Sequence, residues 1–462
     1  MNKSTSFPPG PQDVYPILGQ LTRFWGDKLA FLQQMQRTYG DIAHYTILGN
    51  HFYQLNHPDL IQEVLVNQAA QLRKSDLDHQ IFKQVLGNGL LGNEGESHRQ
   101  QRKLMQPAFH SKRIEAYGRI MTDYTARHIA QWQDGATVDA HEAMTTITMR
   151  IVAKTLYDAD VTDSNTEIAE AIHGLNAISN HQYMQGFVVP SWIPVPQNQK
   201  VKQHGARLNA LLMPIIEARR QSGEDKGDLL SMLLAAQDEE TGAGMSDQQV
   251  RDEVVTLFIA GHETTSNLMA WVFYFLARHP EVEAALHVEL DTVLHGRTPT
   301  LHDALPYADL IIKETLRLRP PAWILSSRVS EADIQVGGYT LAKGSLIFVS
   351  PWVMHHHADY YAEPERFWPE RWQDGQEKQL PRYAYLPFGG GPRVCIGNSF
   401  ALMEARLMLA TIAQQYRLRL SAGQVVVPEA LVTLRPQGGL PMVVEERIRQ
   451  VPFRADEVAV PV

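Results

Sequence analysis

Between residues 58 and 289, apolar side chains recur mainly at three- and four-residue spacing, the period of helices that bury one face. Loops break the pattern at residues 87–95, 187–196 and 237–245. Ahead of this region, residues 24–39 predict a helix closed by Gly40. Alternation across residues 44–55 predicts a hairpin turning at Leu48-Gly49-Asn50. Residues 1–14 read as an extended lead-in, because Pro8-Pro9-Gly10-Pro11 cannot form a helix interior.

The longest uninterrupted pattern runs from Asp247 to Arg278. It opens on Ser246-Asp247-Gln248-Gln249, a polar start, and stops where Pro280 begins the next helix. At 1.5 Å per residue such a helix is roughly 45 Å long and crosses a whole domain. A further helix starts near Pro306 and ends before Pro320-Pro321, and residues 398–414 predict another. Strand patterns are confined to residues 334–339, 346–349 and 431–444. The expected architecture is mainly α with a minor β part, organised as one domain over residues 1–462.

The net charge of −9 over 462 residues excludes a global basic field for nucleic acid. A single cysteine excludes an internal disulfide, which suits a reducing, cytoplasmic setting. The most apolar runs, such as residues 270–277, are far shorter than the ~20 residues of a membrane span. The 19 histidines form no zinc pattern, and His355-His356-His357 reads as a surface turn.

Chemistry concentrates around the cysteine, in Phe388-Gly389-Gly390-Gly391-Pro392-Arg393-Val394-Cys395-Ile396-Gly397. A lone cysteine is commonly a small buried hydrophobe. Here it directly precedes a helix, whose positive end and free N–H groups favour thiolate, and Arg393 is expected to add positive charge beside it. The three glycines let backbone approach the sulfur or a flat ligand. The segment resembles the haem-binding signature of cytochromes P450, Phe-x-x-Gly-x-Arg-x-Cys-x-Gly, with every fixed position filled. The resemblance implies the P450 fold, a triangular prism around one buried haem b (iron protoporphyrin IX), with Cys395 as the iron's axial ligand and Arg393 on a propionate. Phe388 and Gly397 complete the loop. A thiolate ligand pushes electron density onto iron and favours O–O cleavage.

Further segments resemble the same family in the same order. Glu314-Thr315-Leu316-Arg317 resembles its Glu-x-x-Arg motif, completed by an arginine from a Pro-Glu-Arg element. That element occurs at Pro364-Glu365-Arg366 and at Pro369-Glu370-Arg371. Phe367-Trp368 ahead of the second copy selects Arg371 as the third member of a structural triad. Ala260-Gly261-His262-Glu263-Thr264-Thr265 resembles the oxygen-activation motif, which implies Thr264 as relay alcohol, Glu263 as acid, and Gly261 as room for oxygen. Dioxygen must receive two protons before its O–O bond breaks, and an acid with an alcohol can relay them. His98 and Arg102, four apart on one face, and Arg328 are the other implied propionate contacts.

The resemblance also implies O2, a separate ferredoxin- or flavodoxin-type electron donor and its NAD(P)H reductase. Arg99, Lys103, Lys112 and Arg113 form the expected basic docking patch. Its pocket walls fall on residues 79–91, the long helix and Ala322-Trp323-Ile324. Phe82, Leu86, Phe258, Ala322, Trp323 and Ile324 predict a sizeable hydrophobic substrate: terpenoid, steroid-like or fatty-acyl. The carboxylate-anchoring Arg and Tyr of bacterial fatty-acid hydroxylases are Asn50 and Gln54 here, which counts against a fatty acid. A haem-thiolate peroxygenase, a lyase or isomerase, and a non-catalytic haem sensor remain as alternatives.

Overall fold

The computed structural model describes residues 7–13, 18–109, 111–158, 163–238 and 242–447. The rest of the expected lead-in, residues 1–6 and 14, lies outside them.

The helix Asp247–Arg278 is the axis of the fold. It begins with a reciprocal capping box: the Ser246 hydroxyl accepts the Gln249 N–H, and Gln249 Oε1 accepts the Ser246 N–H. It packs most extensively on Ala140–Tyr157, and also meets Pro196–Ser222, Pro306–Leu318 and Asn398–Ala413. One apolar cluster joins these helices, reaching from Val85 to Val444. Most of the axis is buried on all sides, but its middle is not. Leu257, Ile259, Gly261, Glu263 and Thr264 are partly accessible and Ala260 is exposed. A residue as small as Ala260 keeps accessible surface at the centre of a domain only where the helix borders a recess.

The expected hairpin forms from Ile42–Ile47 and Asn50–Leu55, registered from Ile42 opposite Leu55 to Ile47 opposite Asn50. Leu48 and Gly49 both have positive φ, 53° and 76°, which suits the tight turn between twisted strands. Its second strand continues into a five-stranded sheet: Ile42–Ile47, Asn50–Leu55, Leu346–Val349, Arg328–Ser330 and Leu72–Lys74. The last strand is three residues long inside a helical region, too short for any periodicity to announce it. It puts Lys74 directly opposite Arg328.

Three predicted elements are each split. The helix expected over residues 24–39 breaks at Asp27, which adopts extended geometry and caps a fresh helix by accepting the Ala30 N–H at 2.9 Å. Residues 334–339 hold the first strand of a small hairpin, which reverses at Gly337-Gly338. Residues 431–444 divide at Gly438-Gly439, so Leu434–Pro436 and Pro441–Glu446 join different sheets. Positive φ at paired glycines reverses the chain where alternation alone reads as continuous.

His355-His356-His357 is not a surface turn. All three are buried, against the helix that carries Arg317 and the elements around it. Imidazole Nδ1 of His355 faces the Arg317 carbonyl at 3.2 Å, and Nε2 accepts the Leu386 N–H at 3.0 Å. Both ring nitrogens are thus used by a neutral ring. Burial, with the Arg317 guanidinium nearby, pushes its pKa down to about 3. His356 packs on Trp352 in a tilted pair with ring centres 4.2 Å apart.

Candidate active site

Cys395 sits at the end of a closed loop: its N–H bonds the Phe388 carbonyl at 2.9 Å, and Gly397 caps the helix Asn398–Ala413. The sulfur keeps accessible surface, yet burial is the main influence on it and raises the thiol pKa; the Gly397 N–H and the Arg102 guanidinium act in the other direction. It therefore lies in a recess crowded by protein. Arg393 is not the cation beside the sulfur. Its guanidinium turns away to the Asn93 carbonyl at 2.8 Å and Glu94 at 2.6 Å, while Arg102 bonds the Val394 carbonyl at 2.7 Å. The glycines serve packing as much as ligand approach. A Cβ on Gly391, at φ +64°, would lie 2.0 Å from the Leu65 carbonyl oxygen, and one on Gly390 would lie 2.3 Å from the Tyr383 ring.

Beside this loop the fold gathers cations. Lys74, Arg328 and Arg393 surround Glu94, and His98 lies one turn beyond it. Like charges directly opposite on paired strands, such as Lys74 and Arg328, repel. The consequences are readable in the proton affinities. Burial and Arg393 push Lys74 down to about 8, and burial with Arg393, Lys74 and Arg102 pushes His98 down to about 3. His98 is thus a neutral ring, not a charge. Lys74 and Glu94 escaped sequence reasoning. Lys74 lies in no recognisable motif, and the one signal for Glu94 is its place one helical turn before His98.

On the axial helix, the Thr264 hydroxyl donates to the Ala260 carbonyl at 2.8 Å, a back-bond of the kind that bends helices. Glu263 accepts Asn176 Nδ2–H at 2.9 Å and the Thr433 hydroxyl at 2.7 Å. A Cβ on Gly261 would meet Val152 at 3.3 Å, so this glycine lets the helix Ala140–Tyr157 approach closely.

Glu314 and Arg317 are fully buried. The Glu314 carboxylate takes Arg317 Nε at 2.9 Å and Nη2 at 2.8 Å, Arg371 Nε at 3.1 Å, Trp372 Nε1 at 2.9 Å and the Trp368 N–H at 3.0 Å. Arg317 also donates to the carbonyls of His355, Pro364 and Arg366. The side chain of Arg366, from the first Pro-Glu-Arg copy, lies outside this cluster and pairs with Glu363.

Against known proteins, the family model described as cytochrome P450 matches residues 8–440. The chain belongs to the cytochrome P450 family. It is 40% identical to cyclooctat-9-en-7-ol 5-monooxygenase of Streptomyces melanosporofaciens, covering 94% of both chains. It is 34% identical to pentalenene oxygenase of Streptomyces avermitilis, covering 91% of this chain and 93% of that one. The crystal structure of a cytochrome P450DA heme domain superposes with a TM-score of 0.86 at 27% identity, covering 96% of this chain and 99% of that one. The protein is an oxidoreductase of the P450 monooxygenase class with the family's mainly α-helical fold.

A P450 implies haem, and the residues present fit one. Lys74, Arg328 and Arg393 outnumber the carboxylates beside them, Glu94 and, next to Arg328, the buried Asp78, which suits the propionate side of a haem. Cys395 supplies a soft sulfur donor in a recess.

Of the six expected wall residues, Phe82, Ala322 and Ile324 keep accessible surface. Leu86, Phe258 and Trp323 belong to the packed core. Phe258 stacks on Tyr157 at 6.3 Å, and the Trp323 indole donates to the Leu431 carbonyl at 2.8 Å. Gln54 is buried and spent on the Leu32 carbonyl and Asn56, while Asn50 faces solvent at the hairpin turn. Neither forms a carboxylate anchor. In the expected docking patch, Arg99 pairs with Glu96 and Lys103 with Asp238. The side chains of Lys112 and Arg113 lie outside the described residues. Among the described residues no helix is long and apolar enough to cross a membrane.

Proposed function

We propose that this P450 hydroxylates a carbocyclic terpenoid, with Cys395 as the axial ligand of haem b and Arg393, Lys74, Arg328, His98 and Arg102 around its propionate edge. The observation that carries the haem assignment is the surplus of cations around Glu94, next to the loop that presents Cys395. The substrate class rests on the two relatives, whose names specify cyclooctat-9-en-7-ol and pentalenene, and on the apolar wall residues Phe82, Ala322 and Ile324. The missing anchor at Asn50 and Gln54 weighs against a fatty acid.

The overall reaction consumes R–H, O2, two electrons and two protons, and yields R–OH and water. Haem, when bound, supplies the redox chemistry. The electrons come from a separate ferredoxin- or flavodoxin-type donor with its NAD(P)H reductase. The chain's own part is to hold the sulfur, neutralise the propionates, seat the hydrocarbon and deliver protons. Glu263 is the acid and Thr264 the alcohol of that delivery, placed on the accessible middle of the axial helix.

The test is the reduced carbon-monoxide difference spectrum, followed by substrate titration of the ferric protein. A strongly red-shifted Soret band in wild type, absent in Cys395→Ser, is the expected result. Cyclic terpenoids should then shift the ferric spectrum more tightly than fatty acids or steroids. A histidine-like band from freshly purified folded protein overturns the ligand. Tighter binding of fatty acids overturns the substrate class.

A further inference from the structure

The Glu263 carboxylate is held entirely from outside its own helix. Oε2 takes a hydrogen bond from Asn176, on the helix Asp163–Gln185, and Oε1 takes one from Thr433, in the loop leading into Leu434–Pro436. The direction of the Thr433 hydroxyl is itself set. Its oxygen receives Asn267 Nδ2–H at 3.0 Å, which leaves its hydrogen for Glu263. Asn267, fully buried one turn after Glu263, has its Oδ1 2.7 Å from His141 Nε2. With the amide oriented to donate to Thr433, His141 Nε2 is the donor to Asn267 Oδ1. The same helix holds the loop a second time: Asn180, one turn after Asn176, accepts the Val432 N–H at 3.0 Å. Trp323 and Pro321 fix the loop's flanks at Leu431 and Leu434.

We infer that Thr433 and Asn176 are positioning residues for Glu263, and that the chain His141–Asn267–Thr433 fixes which way its carboxylate presents itself for proton delivery. This rests on the reading of Glu263 as the acid. Each link is a directed bond, and the two bonds to the carboxylate are charge-assisted, the stronger kind. Asn267 and Thr433 are buried, and polar groups bonded in a low-dielectric setting favour one geometry, because another leaves a buried group unpaired. An acid needing only solubility or packing would not require two partners from two separate segments. The arrangement also ties the acid to the Asp163–Gln185 helix and the 431–433 loop together, so displacement of either segment reorients the proton donor.

The experiment uses the haem-loaded protein with a surrogate ferredoxin and reductase, and no added substrate. It compares peroxide formed with dioxygen consumed. Two electrons and two protons reduce O2 to H2O2; four of each reduce it to two H2O. Misplacing the donor should favour peroxide. In Thr433→Val, which keeps shape but loses the hydroxyl, the peroxide-to-water ratio should rise roughly tenfold, the scale of a lost hydrogen bond to a charged group. Asn176→Leu should do the same, and Thr433→Ser should restore the wild-type ratio. The solvent deuterium isotope effect on the ratio should change in the first two and return in the third. Haem content and the carbon-monoxide spectrum should stay unchanged throughout. In a Glu263→Gln background, Thr433→Val should add nothing. If Glu263→Gln shifts the ratio while Thr433→Val and Asn176→Leu leave it alone, the positioning role is wrong. If Glu263→Gln itself has no effect, the acid assignment beneath it is wrong.

Discussion

Two clusters of buried charge show how differently one fold treats ions. Around Glu314, a carboxylate meets two guanidinium groups, an indole and a backbone N–H, and Arg317 spends its remaining donors on three carbonyls. Nothing further is needed there. Around Glu94, three cations, Lys74, Arg328 and Arg393, meet one carboxylate, with Asp78 a second one beside Arg328, and burial together with the neighbouring cations depresses the proton affinities of Lys74 and His98. A satisfied cluster holds the scaffold in a single geometry; an unbalanced one keeps cationic capacity that suits an anionic ligand. The contrast separates framework from binding site without reference to any relative.

The comparison can be broken by substitution. Cys395→Ser should abolish the thiolate-type carbon-monoxide band while leaving the apoprotein's denaturation midpoint nearly unchanged, since the side-chain volume is kept. A surviving band would remove Cys395 from the site. Glu314→Ala should destabilise the fold by about 3–5 kcal/mol, because it strands two buried guanidinium groups. Urea denaturation measures it, and a loss below about 1 kcal/mol would show that the cluster is not the framework described here.

Acid offers a graded probe of the framework. His355 titrates at about 3 in the folded chain, far below the ordinary 6.5, because burial and Arg317 disfavour its charged form. The unfolded chain takes up the proton first. Stability is therefore complete above pH 6.5 and falls as pH drops from there toward 3, by about 1.4 kcal/mol per unit for this one ring. From pH 6.5 to 5, the wild type should lose about 2 kcal/mol more than His355→Gln; equal losses would mean that the ring is not held neutral.

At the site, Thr264→Ala should raise the peroxide-to-product ratio about tenfold while haem stays bound. Unchanged coupling with a turned-over substrate would exclude Thr264 from proton delivery. Lys74→Met should have the smallest effect, speeding haem loss to apomyoglobin by a few fold, since Lys74 is already paired with Glu94 and one of several cations there. Slower loss would show that the cation surplus does not serve the propionates.

Much of this was legible before any coordinates. Capping residues and prolines bound the axial helix, because helix ends are local chemistry. The Cys395 loop was legible because its residues are contiguous. Local signals failed where partners come from afar. The choice between the two Pro-Glu-Arg copies was not such a failure: Phe367-Trp368 selected the second from sequence, and Arg371, Trp368 and Trp372 all reach Glu314. The histidine triplet has the polarity of a turn, yet its hydrogen bonds go to Arg317, Trp352 and Leu386.

By itself, the sequence determined the helix limits, the hairpin, the sulfur donor with its loop and the order of the motifs, all consequences of residues close in the chain. Tertiary structure alone decided which arginine stands by the sulfur, that Lys74 faces Arg328, and that Glu263 is held by Asn176 and Thr433. Those outcomes depend on desolvation and on charges brought together across 87 to 292 residues of chain, where no local pattern carries the information.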